Sequence, residues 1–173
     1  MRARKLRSAV RNCKPNGMTS GRAACYGSVM TLTLDELADR SVIDDQLARY
    51  CRAIDTGEWD LLDGIFTPDA ILDYTSSGGI RGVYPEVKVW LAKVLPLFAV
   101  RQHYVTNREI TIDGDAATSI AYLYNPMGRR RDDGGLDLFF VGGTYRDRWV
   151  RSGGGWRIVE RVETEWWRDG RSR

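Results

Sequence analysis

The sequence holds one histidine, three cysteines and five prolines among 173 residues, and each scarcity narrows what the chain can be. Cys13, Cys25 and Cys51 show no CxxC spacing, which speaks against a zinc site or a disulfide framework and for a reducing, cytoplasmic setting. There is no uninterrupted apolar run of membrane-spanning length and no apolar stretch of leader type near the start, so neither a membrane span nor a secretory signal is expected. No phosphate-cradling glycine motif is present, since Gly142-Gly143 falls inside a strand-like run and reads as a bulge. Acidic residues are absent before Asp35, where seven basic ones stand (Arg2, Arg4, Lys5, Arg7, Arg11, Lys14 and Arg22). From Asp35 onward, 19 basic side chains meet 23 acidic ones, so the basic character belongs to the tail. Residues 1–30 read as a disordered extension, possessing a single aromatic, Tyr26, and not as a nucleic-acid arm.

What is present suits one soluble domain with a real core: 43% hydrophobic and 28% charged residues. Thr33-Leu34-Asp35-Glu36 has the form of a helix N-terminus, and Leu37, Ile43, Leu47, Tyr50 and Ile54 recur at a helical period, so a helix is expected from Leu34 to Asp55. Thr56-Gly57 ends it, and a second, short helix over 58–66 is closed before Pro68. A short strand at 69–74, a Ser/Gly loop at 76–79 and a third helix begun by Pro85 and stopped by Pro96 follow. The remainder reads as strands in two hairpins. Val100–Ile112 and Ala116–Tyr124 flank Asp113-Gly114-Asp115, while Leu136–Val150 and Trp156–Trp167 flank Ser152 to Gly155. Helices followed by long antiparallel strands make an α+β arrangement, a curved sheet wrapped over helices with an interior suited to a small apolar ligand.

The lone histidine, His103, lies in Val100–Asn107, at the start of the strand run. Imidazole is the side chain whose ordinary pKa allows proton exchange near neutrality, yet a single strand histidine is also an ordinary hydrogen-bonded residue. Asp55 reads either as its carboxylate partner or as a helix-terminal residue facing solvent, although a negative charge there opposes the helix dipole. Tyr50 and Tyr74 serve equally as wall residues or as hydrogen-bond donors to a carbonyl. Asn125 beside Pro126 is open to a turn reading. Asp73, Asp137, Asp147 and Glu163 are further carboxylates whose facing strand alternation leaves undecided.

Three stretches, YCRAIDTGEWDLLDGIFTPDAILDY at 50–74, QHYVTNREITIDGDAA at 102–117 and GGTYRDRWVRSGGGWRI at 142–158, resemble the NTF2-like superfamily. Within it they are similar to the SnoaL-like group, which includes scytalone dehydratase and the bile-acid dehydratases. The resemblance covers roughly 34–167 and implies an NTF2-like cone, with three N-terminal helices packed in a curved antiparallel sheet, over a domain spanning 31–173. It further implies that Asp55 orients a catalytic His103, that Tyr74 binds the substrate carbonyl, and that Tyr50 matches a second tyrosine of the bile-acid enzymes. Scytalone dehydratase places its own second tyrosine at the position of Ile54. Asn125 falls where the bile-acid enzymes carry an aspartate, and the second histidine of scytalone dehydratase has no counterpart near Pro126-Met127. Asn125, Asn107 and Trp90 are the expected substrate contacts. The implied activity is cofactor-independent and metal-free, a dehydratase or isomerase acting on a cyclic ketone, polyketide or steroid-like molecule. The partners expected are a small hydrophobic substrate and a second or third copy of the chain, with no nucleic acid or membrane. The competing reading is a non-catalytic binding or oligomerisation domain on the same scaffold.

Overall fold

Helix α1 (Leu34–Thr56) begins with the expected capping box: Thr33 Oγ1 accepts from the Glu36 amide at 3.1 Å, and the Glu36 carboxylate accepts from the Thr33 amide at 2.7 Å. It ends on Gly57, whose φ of 80° is left-handed and whose N–H bonds the Ala53 carbonyl. Ile43, Leu47, Tyr50 and Ile54 form its buried stripe, while Leu37 stays half exposed. Each of the buried aliphatic side chains contributes roughly 1.5–3 kcal/mol by leaving water. These contacts belong to the computed structural model of the protein, which describes residues 32–170. The expectation of a disordered extension over residues 1–30 falls outside them.

After α1 come a 3₁₀ turn (Trp59–Gly64), β1 (Phe66–Asp73), β2 (Arg81–Val83) and helix α2 (Tyr84–Val94), with Pro85 in its first turn. Then follow β3 (Val100–Arg101), β4 (Tyr104–Asp113), β5 (Ala116–Arg130), β6 (Leu136–Ser152) and β7 (Gly155–Gly170). The strands form one sheet in the order β2-β1-β7-β6-β5-β3, with β4 also pairing β5. Helices with one large sheet make the α+β class expected.

Two details differ from expectation. The segment over 58–66 is a 3₁₀ turn of six residues and not a third α-helix; Gly64 and the Pro68 beyond it leave no room for a helical ladder. The sheet is mixed and not purely antiparallel, because β1 runs parallel to β7. Turn residues determine the direction of consecutive strands, whereas these two pair across some ninety residues of chain. Strand β5 also runs on through Pro126 to Arg130, so Asn125 sits in a strand and not in a turn. Its extension pairs with the start of β6 to make a third hairpin, closed over 131–135.

Both expected hairpins form, with Asp113 opposite Ala116 and Ser152 opposite Gly155. The register shifts between Gly142 and Gly143, the anticipated bulge. A Cβ on Gly142 would overlap the Trp167 indole, and one on Gly143 the Thr164 carbonyl, so the backbones approach there as only glycine permits. Odd-numbered residues of β5 from Ala117 to Met127 point inward, while Tyr122 and Tyr124 point out.

Candidate active site

A cavity of about 300 Å³ is lined by residues of α1, α2 and the inward face of the sheet. Asp55, in the last turn of α1, stands behind His103, which lines the cavity. The Arg101 guanidinium donates to the Asp55 carbonyl at 3.1 Å, satisfying one of the orphan carbonyls that end a helix. After Arg101 the chain leaves the β-ladder for two residues, Gln102 and His103, before β4 begins. That break turns the His103 amide and its ring toward the same carboxylate. Asp55 Oδ2 accepts from the His103 backbone N–H at 2.9 Å, and Asp55 Oδ1 lies 2.6 Å from His103 Nδ1. A carboxylate can only accept, so the proton sits on Nδ1 and the Nε2 lone pair is left available. The His103 side chain is 6% exposed and the Asp55 side chain 21%.

Nε2 faces Asn125, whose Nδ2 lies 3.2 Å away and donates to it. Asn125 lines the cavity, and its Oδ1 is buried with no hydrogen-bond partner among the described residues. The Tyr50 and Tyr74 hydroxyls are 3.0 Å apart. Burial pushes both phenols above their ordinary pKa, against the pull of the Arg161 charge, so they stay neutral donors. The Tyr50 ring meets the His103 imidazole edge-on at 6.4 Å. Tyr74 follows β1, and its carbonyl accepts from the Gly79 amide at 2.9 Å, closing a tight turn beneath it. A Cβ on Gly79 would stand 2.7 Å from the Tyr74 Cβ and 2.9 Å from the Trp90 ring, so this glycine allows both side chains to share one wall.

Of the expected site residues, Asp55, His103, Tyr50, Tyr74 and Asn125 converge, and Trp90 lines the cavity with them. Asn107 does not. It is exposed at the irregularity in β4 between Thr106 and Glu109, with φ at 47°, and the bulge turns it away from the cavity.

Sequence reading missed Arg161. It is fully buried on β7 and bonds Asp147 through two contacts of 2.7 Å. Its guanidinium lies 4.1 Å from the centre of the Tyr50 ring and 4.3 Å from that of Tyr145. Burial disfavours its charge and the paired Asp147 more than restores it, so a permanent cation backs the tyrosines. The signal was the pairing of Asp147 with Arg161 across adjacent strands, legible only once the register of β6 and β7 is known. Of the other carboxylates left undecided, Glu163 lines the cavity, Asp73 accepts from Thr75 at the end of β1, and Asp137 pairs with Arg131 outside. Among the described residues no group of three His, Cys, Asp or Glu side chains is arranged to ligate a metal. No helix among them is long and apolar enough to cross a membrane.

Residues 35–162 match the sequence profile of the SnoaL-like domain. The chain belongs to the SnoaL-like family. The uncharacterized protein Rv2910c of Mycobacterium tuberculosis is a relative, 43% identical over 134 residues that cover 78% of this chain and 90% of that protein. Among solved structures, the Kfla4162 protein of Kribbella flavida superposes with a TM-score of 0.70 at 25% identity, over 77% of this chain and 94% of that one. A hexachlorocyclohexane dehydrochlorinase, LinA type 2, superposes with a TM-score of 0.69 at 22% identity over 80% and 93% of the two chains, a likeness of fold. The SnoaL-like family thus accounts for the helix-and-sheet architecture described above.

Proposed function

We propose that the cavity is the active site of a cofactor-independent dehydratase or isomerase acting on a cyclic ketone, polyketide or steroid-like molecule. The observation that carries this reading is the doubly held imidazole: Asp55 fixes the tautomer of His103 and leaves Nε2 as the base. In the reaction Nε2 removes a proton from the carbon beside the substrate carbonyl, displacing the Asn125 amide that otherwise occupies its lone pair. Charge that develops on the carbonyl oxygen is met by the Tyr50 and Tyr74 hydroxyls, with Arg161 stacked behind Tyr50. The Asn125 carbonyl oxygen, unpartnered among the described residues, accepts from a substrate hydroxyl. Trp90, Phe98 and Phe139 supply the apolar walls that a ring system requires. The dehydrochlorinase activity in the LinA name is an elimination as well, consistent with this scaffold hosting such chemistry.

The test is direct. The protein is incubated in heavy water with cyclic ketones and with their β-hydroxy derivatives, and α-hydrogen exchange and enone formation are followed. Exchange or elimination that disappears in His103→Ala supports the reading. A wild-type protein that binds such ketones without exchanging their α-hydrogens is a binding domain.

We also propose a homodimer built on the outer face of the sheet. Tyr104, Tyr122, Tyr124, Leu138, Trp166 and Trp167 are all more than 40% exposed there, and Tyr124 meets Tyr104, Phe140 and Trp167 ring to ring. A self-complementary patch of this kind buries itself against its own copy about a twofold axis. Light scattering of the purified protein at a monomer mass excludes it.

A further inference from the structure

Elimination of water needs two proton transfers, one from carbon to the base and one to the departing oxygen, because hydroxide is a poor leaving group. The second is served best by an acid that holds its own proton while the imidazole takes the first. Glu163, on β7, lines the same cavity as His103 and is 8% exposed. The charged groups that act on it most strongly are Arg161, Glu165 and Arg168, with Arg129 and His103 also on the cavity lining, and both Arg161 and Arg168 are already bound. Arg161 is held by Asp147 at 2.7 Å, and Arg168 is held by Glu165 at 2.6 and 3.0 Å. The other titratable neighbours, Tyr50, Tyr74 and Tyr145, are neutral phenols that supply no positive charge. Burial accordingly dominates at this carboxyl and pushes it up to about 7; its bond to Ser77 and the charges of Arg161 and Arg168 offset only part, and Glu165 adds to the rise. His103 and a carboxyl that burial keeps protonated toward neutrality thus line one cavity from different elements.

We propose that Glu163 is the general acid of the site, giving its proton to the departing β-hydroxyl. This rests on the elimination chemistry proposed above and completes it. His103 Nε2 takes the α-proton, the electron pair of that C–H bond forms the carbon–carbon double bond, and the C–O bond breaks as Glu163 O–H protonates the leaving oxygen. The products are an enone and water. His103 then holds one extra proton and Glu163 lacks one, so solvent accepts a proton from the first and returns one to the second, and the enzyme is restored without net consumption.

The experiment compares two probes that give the same product, β-hydroxycyclohexanone and β-acetoxycyclohexanone. Acetate leaves as a stable anion and needs no acid. With E163Q, elimination of the hydroxy ketone falls at least about 100-fold while that of the acetoxy ketone changes by less than about 3-fold, the selective effect of removing an acid. The limb of the wild-type pH profile near 7 that marks loss of the Glu163 proton is also absent from the variant. Equal losses on both probes, or full activity of E163Q on the hydroxy ketone, overturn the assignment. A wild-type protein that exchanges α-hydrogens in heavy water but eliminates only acetate overturns Glu163 as acid and keeps the dyad. A wild-type protein that does neither overturns both readings.

Discussion

Asp55 holds His103 at two points, the ring Nδ1 at 2.6 Å and the backbone amide at 2.9 Å, so the imidazole is fixed in position and in tautomer by one carboxylate. Asp55→Asn retains the shape and allows the amide to donate toward Nδ1, which favours the other tautomer and removes the lone pair from Nε2. Enone formation should fall by about 10³–10⁴-fold, as expected when an orienting carboxylate is neutralised. Circular dichroism should show an unchanged fold, and a variant that retains half of the wild-type rate would remove Asp55 from the chemistry.

The Tyr50–Tyr74 contact predicts unequal roles. Tyr50 is stacked on Arg161, whereas Tyr74 follows β1 and shares its wall with Trp90. Tyr74→Phe should lower kcat about 10²–10³-fold with little change in KM if its hydroxyl bonds charge that develops only in the transition state. A rise in KM at constant kcat would instead make Tyr74 a simple binding contact.

Glu163 also links stability to pH. Its carboxyl lies near 4.5 in the unfolded chain and is raised to about 7 in the folded one, so the folded state binds the extra proton between those values. The stability it contributes is therefore complete below about 4.5 and lost as pH rises through about 7, a difference of up to roughly 3 kcal/mol. Urea unfolding from pH 5 to 8 should show this fall in the wild-type protein and a flatter profile in Glu163→Gln. Parallel profiles would mean that the group titrates normally.

Asp147 and Arg161 are both fully shielded, with 0% side-chain exposure. Asp147→Ala leaves an uncompensated buried guanidinium and should cost about 3–5 kcal/mol, whereas replacing both partners with apolar residues should restore much of that stability. Thermal and urea unfolding read both variants. Restoration of stability without restoration of turnover would separate the structural part of Arg161 from its electrostatic part.

Gly79→Ala tests the packing under Tyr74. The added methyl would press on the Tyr74 Cβ and the Trp90 ring and, at 2.9 Å, on the Tyr74 carbonyl. Rigid backbone on one side makes the strain expensive, about 1–3 kcal/mol. A fully stable and fully active variant would show that this wall yields.

Much of the site was legible because its chemistry sits at punctuation marks of the chain. Asp55 precedes the Thr56-Gly57 helix stop, Tyr74 directly follows the first strand, and His103 is the single histidine. Asn107 was misplaced because a bulge in β4 changes which side of the strand its residues face, and alternation cannot foresee a bulge that no glycine marks. Arg161 and Glu163 were not readable for a related reason. β7 has irregular register with both neighbours, and charged residues in a strand normally face water. The parallel pairing of β1 with β7 lay beyond the sequence too, since no local turn joins them.

That pairing has a consequence for how the protein comes into being. β7 occupies the middle of the sheet between β1 and β6. It brings Glu163 to the cavity and Arg161 behind the cavity's tyrosines, more than a hundred residues after Tyr50 and Asp55 were made. During synthesis the dyad can form once His103 has emerged, but the cavity has neither its buried cation nor its inner carboxyl until the final strand inserts. Such long-range closure is slow compared with helix formation. The cavity is therefore completed late, and a chain interrupted before Gly155 has its tyrosines and His103 but neither the buried cation behind them nor the inner carboxyl.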